Sequence, residues 1–202
     1  MIYAPEYSCH CGKLRAKIHD VNPSTGNLAR CHCLDCQAFA YWLTGQGGAD
    51  FLDENGGSEL FQTLAWRVEF TQGKDTYLQA IRLSPKGMIR WYASCCHSPI
   101  ANMMGSQAMT FIGMPTCGFE MKDIDNMGPV RASMFAKTAR KGSTPPADFG
   151  FLSVIARILW RQFMGKLRVK TRCTPFWIDA GQPVADPQVL TLEERKSVTP
   201  EL

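Results

Sequence analysis

Clustered cysteines constrain this chain more than any other feature of its sequence. Seven of its nine cysteines fall in three tight groups: Cys9 with Cys11, then Cys31, Cys33 and Cys36, then Cys95 with Cys96. Residues 1–12 lack the basic start and apolar run of a secretory signal, so we expect a cytoplasmic protein with reduced thiols. Clustered cysteines in a cytoplasmic protein indicate metal ligation or catalysis rather than disulfides. The isolated Cys117 and Cys173 are expected to be small buried apolar residues.

The central group places three thiols within six residues, at Cys31, Cys33 and Cys36. This spacing lets all three bind one Zn²⁺, with the backbone turning around the metal. No fourth ligand is evident nearby, and three protein ligands with a vacancy are typical of reactive zinc. We therefore interpret the group as a catalytic site whose open position would hold an incoming thiolate. The alternative is a structural site completed by a distant side chain, with His32, His97 and Cys117 as candidates.

A second metal site is expected where the N-terminal pair, Cys9 and Cys11, meets Cys95 and Cys96. The two pairs are about 85 residues apart. A metal shared between them would connect the N-terminus to the end of a predicted strand at residues 88–92, and its binding would add free energy to folding. This signal is less specific than three cysteines within six residues.

The first 125 residues are predicted to be mainly β. Their short runs rich in aromatic and β-branched residues are bounded by turn residues, which is the pattern of antiparallel strands. The predicted strands are residues 14–19, 61–66, 68–71, 76–83, 88–92 and 109–113. Hairpin turns are predicted at residues 72–75 and 84–87, where glycine supplies a positive φ.

The chain changes character after residue 125, and we place a domain boundary there. Residues 1–125 are predicted to form a zinc-binding domain, and residues 126–202 a basic helical extension with a flexible tail. Two helices are predicted in the extension, at residues 128–140 and 147–169. The second has a basic stripe, Arg157, Arg161 and Arg168, opposite an apolar face. We expect the apolar face to pack on the sheet or on a second subunit of a homodimer, with the arginines in solvent.

Charge is distributed unevenly between these two parts. Residues 1–125 carry a net charge of −2 and residues 126–202 a net charge of +6. Such a bias indicates either a solvated face or an anionic partner, such as nucleic acid or an anionic membrane. Nucleic acid is the less favoured partner, since no recognised binding motif or aromatic and basic interleaving accompanies the charge. The longest apolar stretch, residues 149–160, is too short to cross a bilayer.

Three motifs occur in a fixed order within about residues 7–115. They are Cys9-His10-Cys11-Gly12, then Cys31-His32-Cys33-Leu34-Asp35-Cys36-Gln37, then Arg90-Trp91-Tyr92 followed by cysteines and Ser98-Pro99-Ile100. In combination they resemble the family of glutathione-dependent formaldehyde-activating enzymes and centromere protein V. The resemblance implies a β-tent of antiparallel sheets around zinc. It also implies glutathione, or another small thiol, as the ligand of the reactive metal.

The resemblance also assigns the metal ligands. It implies a structural zinc on Cys9, Cys11 and Cys96, and a catalytic zinc on the central three cysteines. Family members carry Cys-x-x-Cys-Gly where this chain has Ala93-Ser94-Cys95-Cys96-His97. Ala93 cannot bind metal, so we expect Cys95 to replace the missing ligand, ahead of His10 or His97. Because adjacent cysteines point apart on an extended chain, this replacement requires a kinked backbone.

Three functions are compatible with these features. The first is a carbon-sulfur lyase that acts on glutathione adducts of small aldehydes. The second is a non-catalytic interaction module stabilised by zinc, and the third is a binder of nucleic acid or anionic membrane through the basic extension. Asp35 and His32 are the only candidates in the cysteine motifs for proton transfer, and His32 is expected to point away from the metal.

Overall fold

The computed structural model describes residues 3–140, 144, 146–167, 174–178 and 181–201. Eleven strands and five α-helices are found in these residues. The strands are β1 (Glu6–Ser8), β2 (Arg15–Ile18), β3 (Asn27–Cys31), β4 (Ser58–Leu64), β5 (Val68–Gln72), β6 (Leu78–Arg82), β7 (Ile89–Ala93), β8 (Ser98–Met103), β9 (Phe111–Pro115), β10 (Val130–Met134) and β11 (Gln188–Val189). The helices are α1 (Leu34–Gly45), α2 (Lys74–Tyr77), α3 (Met121–Asp125), α4 (Phe151–Lys166) and α5 (Leu192–Val198).

The strands form two sheets. One has three strands in the order β1-β2-β5, and the other has eight in the order β10-β3-β4-β9-β8-β7-β6-β11. Most neighbouring strands are antiparallel, but β10 runs parallel to β3 and β11 runs parallel to β6. The prediction of a mainly β fold with a C-terminal helical region is confirmed, and the larger sheet is mixed rather than wholly antiparallel.

The main core lies between the two sheets. Its largest side chains are Trp91, Tyr7 and Phe61, all fully buried. On β7 the side chains alternate, so that Trp91 enters this core while its neighbour Arg90 lies over the Phe39 ring of α1. A buried arginine is thereby placed on the helix side of the sheet, beside the cysteines that precede α1.

Helix α1 packs on the opposite face of the larger sheet. Phe39 and Leu43 of α1, at a helical spacing of four residues, pack with Ile81 and Leu83. Helix α5 contacts α1 and begins with a capping box in which Thr191 and Glu194 exchange side-chain and backbone hydrogen bonds. The sequence analysis expected a flexible tail where α5 lies.

The helix predicted at residues 128–140 is wrong. This segment forms β10, which pairs with β3 at the edge of the larger sheet. Helix propensity is a weak preference, and the hydrogen bonds offered by an open sheet edge override it here. The turn predicted at residues 72–75 is also corrected, because the short helix α2 begins at Lys74 after Gly73, whose φ is +75°.

The helix predicted at residues 147–169 corresponds to α4, but its orientation differs from the expected one. Gln162 is buried and Arg161 is partly buried against the sheet, whereas Leu152, Leu159 and Trp160 are exposed. The groove beneath α4 is lined by backbone groups that need polar partners. Gln162 accepts hydrogen bonds from Thr110 and donates one to Ala108 O. Polar side chains of α4 therefore face the sheet.

Arg161, like Gln162, forms hydrogen bonds with backbone groups in the groove beneath α4. Its Nε donates to Ser24 O at 3.0 Å and its Nη2 to Gly26 O at 3.0 Å. The expectation that this arginine stays in solvent is therefore wrong, while Arg157 is exposed as expected. Arg168 and Cys173 lie outside the described residues. The division into domains at residue 125 stays a prediction, and β10 and β11 belong to the larger sheet.

Candidate metal centres

The four-cysteine centre comprises Cys9, Cys11, Cys95 and Cys96, whose sulfur atoms all lie within 4.8 Å of one another. The Sγ–Sγ distances from Cys95 are 3.4 Å to Cys11, 3.8 Å to Cys9 and 3.9 Å to Cys96. A tetrahedral ion with metal–sulfur bonds of about 2.3 Å requires sulfur atoms about 3.8 Å apart. The four side chains could hold a metal ion in that geometry.

The N-terminal pair is presented by a tight turn after β1. Gly12 has a φ of +74° and its N–H donates to Cys9 O at 2.9 Å. The N–H of Leu14 then donates to Cys9 Sγ at 3.3 Å. Backbone donors of this kind stabilise negative charge on the sulfur, so the turn orients the Cys9 side chain as well as presenting it.

The second pair lies in the turn between β7 and β8, where the backbone is kinked. His97 has a φ of +50°, which is rare for a residue other than glycine. Residues 94–97 form a turn rather than extended chain, and the Cys95 and Cys96 sulfur atoms both belong to the four-cysteine group. Burial opposes ionisation of Cys96, but donors including the Ser98 hydroxyl at 3.1 Å lower the pKa of that thiol to about 6. Neither His10 nor His97 belongs to the group.

The three-cysteine centre comprises Cys31, Cys33 and Cys36, whose sulfur atoms also lie within 4.8 Å of one another. It spans the last residue of β3 and the first turn of α1. Cys31 and Cys36 are buried, and Cys33 is partly exposed. Among the described residues, no other cysteine, histidine or carboxylate has a ligand atom within that distance of all three sulfurs. The centre could hold a metal ion with three protein ligands.

The distant candidates for a fourth ligand lie elsewhere. His32 is buried, with its Nδ1 3.3 Å from Met134 O and its Nε2 3.9 Å from Asp53. The main chain of His32 is also held, because its carbonyl accepts from Gln37 Nε2 at 2.7 Å. Cys117 lies against Tyr7, and it is exposed rather than buried as the sequence predicts. The role of His32 is therefore to anchor the loop to β10.

One wall of the three-cysteine centre is charged. Arg90, which is buried, donates to Cys36 Sγ at 4.0 Å and to Asn102 Oδ1 at 3.0 Å. Its guanidinium also lies 4.0 Å from Asp35, which in turn pairs with Arg195 of α5 at 3.2 Å. Hydrogen bonds from the neighbouring thiols, together with Arg90, hold the pKa of Cys36 well below its usual value despite burial.

The opposite wall is apolar. Cys31 and Cys36 pack in one cluster with Ala132 of β10 and Val154 of α4, and Ile158 packs against that cluster. The second part of the chain therefore helps to enclose the centre. The three-cysteine centre is therefore bounded by apolar side chains as well as by Arg90.

Comparison with known proteins gives the family. The sequence profile of DUF6151, a family of unknown function, matches residues 2–188. The chain belongs to the DUF6151 family. No curated protein matches it. Three solved chains do, among them the crystal structure of a Rhodobacter sphaeroides protein, at 13% identity and a TM-score of 0.42, with 62% of this chain and 96% of that chain covered. This likeness is too distant to support an argument.

Three side chains of this DUF6151 protein were missed by the sequence analysis. Arg90 contacts Cys36, Asn102 holds Arg90 and Arg195 pairs with Asp35, although the sequence places all three at least 54 residues from Cys36. Only Arg90 could have been recognised in the sequence, because it is a charged residue between two apolar residues of a predicted strand, Ile89 and Trp91.

Among the described residues, no helix is long and apolar enough to span a membrane.

Proposed function

We propose that this protein binds two zinc ions, a structural ion at the four-cysteine centre and a reactive ion at the three-cysteine centre. One observation carries the proposal: three sulfur atoms lie together beside a partly exposed face, with no fourth ligand atom among the described residues. Three protein ligands with a vacancy are typical of reactive zinc, and four cysteines of a closed structural site.

Zinc bound at the three-cysteine centre would lower the pKa of an added thiol, so that its thiolate exists at neutral pH. The protein supplies the surroundings. Arg90 offsets the negative charge that three thiolates leave on the site, and Asn102 holds Arg90 in place. Cys33 marks the accessible side, and the apolar wall formed with Val154 limits water on the other.

We propose glutathione, or another small thiol, as the ligand of the vacant position. The motifs that resemble the glutathione-dependent formaldehyde-activating family support this choice. The corresponding reaction is the cleavage of a hemithioacetal, the adduct of a thiol and an aldehyde. Its C–S bond breaks and the electron pair stays on sulfur. The hydroxyl proton is lost as the aldehyde forms. Asp35 is the candidate base, held by Arg195 next to Cys36.

Cobalt substitution tests the proposal directly. The visible absorption of Co²⁺ reports thiolate ligation, so reduced glutathione should change the spectrum of the cobalt protein, whereas S-methylglutathione, which has no free thiol, should not. The Cys36→Ser variant should keep the spectrum of the four-cysteine centre and lose the response. If glutathione leaves the wild-type spectrum unchanged, the thiol-binding function is wrong, and a purely structural role for both metals becomes the better account.

The lyase activity needs a separate test. Formaldehyde release from S-hydroxymethylglutathione should be faster with the wild-type protein than with Cys36→Ser. A cobalt spectrum that responds to glutathione, without any difference in formaldehyde release, would retain thiol binding and reject this substrate.

A further inference from the structure

We propose that α4 docks on the surface of an anionic phospholipid bilayer. Its exposed apolar face would enter the headgroup region, and an arginine-lined cleft beside it would bind lipid phosphate. This inference is independent of the metal centres and of the function proposed for them. Two separate observations, one on each side of the helix, lead to it.

The first observation is the apolar face of α4. Its large, exposed apolar side chains cover one half of the helix circumference, where Lys166 also lies: Phe151, Leu152, Ile155, Leu159, Trp160, Phe163 and Leu167. Leu152 is 80% exposed and Trp160 is 62% exposed. Phe135 and Phe149, also exposed, extend the surface beyond the start of the helix, and the Phe135 ring contacts Phe151 edge to face. A continuous exposed patch of this size marks a binding surface.

The second observation is a cleft of about 250 Å³ between α4 and the end of β4. Leu64, Trp66 and Arg67 line one side, and Trp160, Arg161 and Met164 line the other. Arg67 is 9% exposed, and one of its donors, Nε, has no acceptor among the described residues. The same is true of Nη1 of Arg161 and Nε1 of Trp66.

These unpaired donors lie in a strongly positive environment. Arg131 and Arg157 add their charges to those of Arg67 and Arg161, and the described residues place only Asp20 in an ion pair with any of the four. Burial and the neighbouring arginines lower the pKa of Arg161 to about 10. Buried cationic donors without partners are costly, and a phosphate oxygen would satisfy them with charge-assisted hydrogen bonds.

Trp160 joins the two observations, because it lines the cleft and also belongs to the exposed apolar face. A helix with Trp, Phe and Leu on one side and arginine along the edge is typical of segments that lie in a membrane interface. Tryptophan is enriched at headgroup depth, where phosphates are found. A free anion would explain the arginines alone, and the apolar face would still lack a partner.

A second copy of the chain is a poorer occupant of the apolar face. In a two-fold symmetric dimer the same surface meets itself, so the interface would contain the edge arginines of both copies and gain no negative charge to offset them. Anionic lipid instead brings negative charge to that edge. The part of the chain with the net charge of +6, which contains α4, adds to this attraction.

Vesicle flotation with the full-length, metal-loaded protein tests the proposal. The protein should float with vesicles of equimolar phosphatidylglycerol and phosphatidylcholine but not with phosphatidylcholine alone, and added salt should release it. Leu152→Asp should lower the partition coefficient at least about tenfold. Leu192→Asp on α5 is the matched control, because Leu192 is 87% exposed and also lies in the first turn of a helix. It should bind like the wild type.

Arg157→Glu tests the charged edge without disturbing a buried side chain, since Arg157 is exposed. It should reduce binding to the anionic vesicles at least about tenfold. Circular dichroism and zinc content should match the wild type in every variant, so that a loss of binding is not a loss of fold.

Several results would overturn the proposal. Equal binding to both kinds of vesicle would remove the role of the arginines, and equal loss in Leu152→Asp and Leu192→Asp would remove the role of α4. Without vesicles, the wild type should sediment as a monomer, and a dimer that Leu152→Asp dissociates would assign the face to a second copy. Saturable binding of inorganic phosphate without vesicle binding would assign the cleft to a free anion.

Discussion

The two cysteine centres are assembled from the chain in different ways. The four-cysteine centre joins two turns far apart in the chain, with Cys9 and Cys95 separated by 86 residues. The three-cysteine centre takes all its cysteines from one turn, between Cys31 and Cys36. A metal at the first site would fix the tertiary structure, whereas a metal at the second would add little that the local backbone does not already provide.

The entropy lost on closing a loop of the unfolded chain shows how much more a metal at the four-cysteine centre would stabilise the fold. The cost of closing a loop rises as (3/2)RT ln n, so bridging 86 residues removes about 2.5 kcal/mol more unfolded-state freedom than bridging five. The charges differ as well. Four thiolates leave Zn²⁺ with two negative charges and three leave one, which Arg90 offsets at the three-cysteine centre. We therefore expect the first centre to determine stability and the second to determine reactivity.

Cys95→Ser should have the largest effect, because it removes a ligand of the centre that bridges the long loop. We expect the zinc content to fall from two ions to one and the free energy of unfolding to fall by more than about 4 kcal/mol. Elemental analysis and urea denaturation measure the two quantities. His10→Ala is the control, since His10 lies beside Cys9 and outside the group. Two zinc ions in Cys95→Ser would exclude Cys95 as a ligand.

Cys36→Ser should also remove one zinc ion but cost less stability, about 1 to 2 kcal/mol, because its ligands close only a short loop. Urea denaturation in parallel with Cys95→Ser gives the comparison. Cys117→Ser, which lies outside both centres, should leave the zinc content at two. If the two ligand variants were equally destabilised, the contrast between the centres would fail.

Arg90→Gln should weaken metal binding at the three-cysteine centre alone. Removing the cation beside Cys36 should lower zinc affinity at the three-cysteine centre about 10- to 100-fold, the range found when a group that supports a metal ligand is lost. Competition with a chromogenic chelator measures the release of each ion. Arg90→Lys, which keeps the charge but not the planar donors, should be intermediate. Equal weakening of both ions would point to general unfolding instead.

The smallest effect is expected at the ion pair between Asp35 and Arg195, which tethers α5 to the metal turn. Both side chains are partly exposed, at 47% and 39%, so their coupling should be below about 1 kcal/mol. A double-mutant cycle of Asp35→Asn and Arg195→Gln, followed by urea denaturation, measures it. The zinc content should stay at two. A loss of zinc in Arg195→Gln would mean that α5 is needed to hold the reactive centre.

The sequence predicted well the features that depend on residues close together in the chain. Three thiols within six residues predict their own proximity, and the structure brings together the same sulfur atoms that the sequence grouped, including Cys95 in place of Ala93. Their role as ligands stays a prediction. Alternating hydrophobic residues and turn glycines likewise located six strands, with ends displaced by a few residues, because both signals act over short distances.

Two of the predictions that failed, the helix over residues 128–140 and the orientation of α4, concern segments whose structure depends on contacts with distant parts of the chain. Residues 130–134 have no strong local preference for a strand, and the free edge of β3 determines their structure. The sequence predicts that the apolar face of α4 is buried, but the carbonyl oxygens beneath the helix accept hydrogen bonds from Arg161 and Gln162 instead. Periodicity describes which residues share a face and carries no information about the surface that receives them.

The number of sulfur ligands per zinc distinguishes an open three-cysteine centre from a closed one. X-ray absorption at the zinc edge, on wild-type protein with two ions bound and no added thiol, should give a mean of about 3.5 sulfurs, the average of four and three. Adding reduced glutathione should raise the mean to about four, and adding S-methylglutathione should not. A mean of four before any thiol is added would show that both sites are closed, and would contradict a reactive three-cysteine centre.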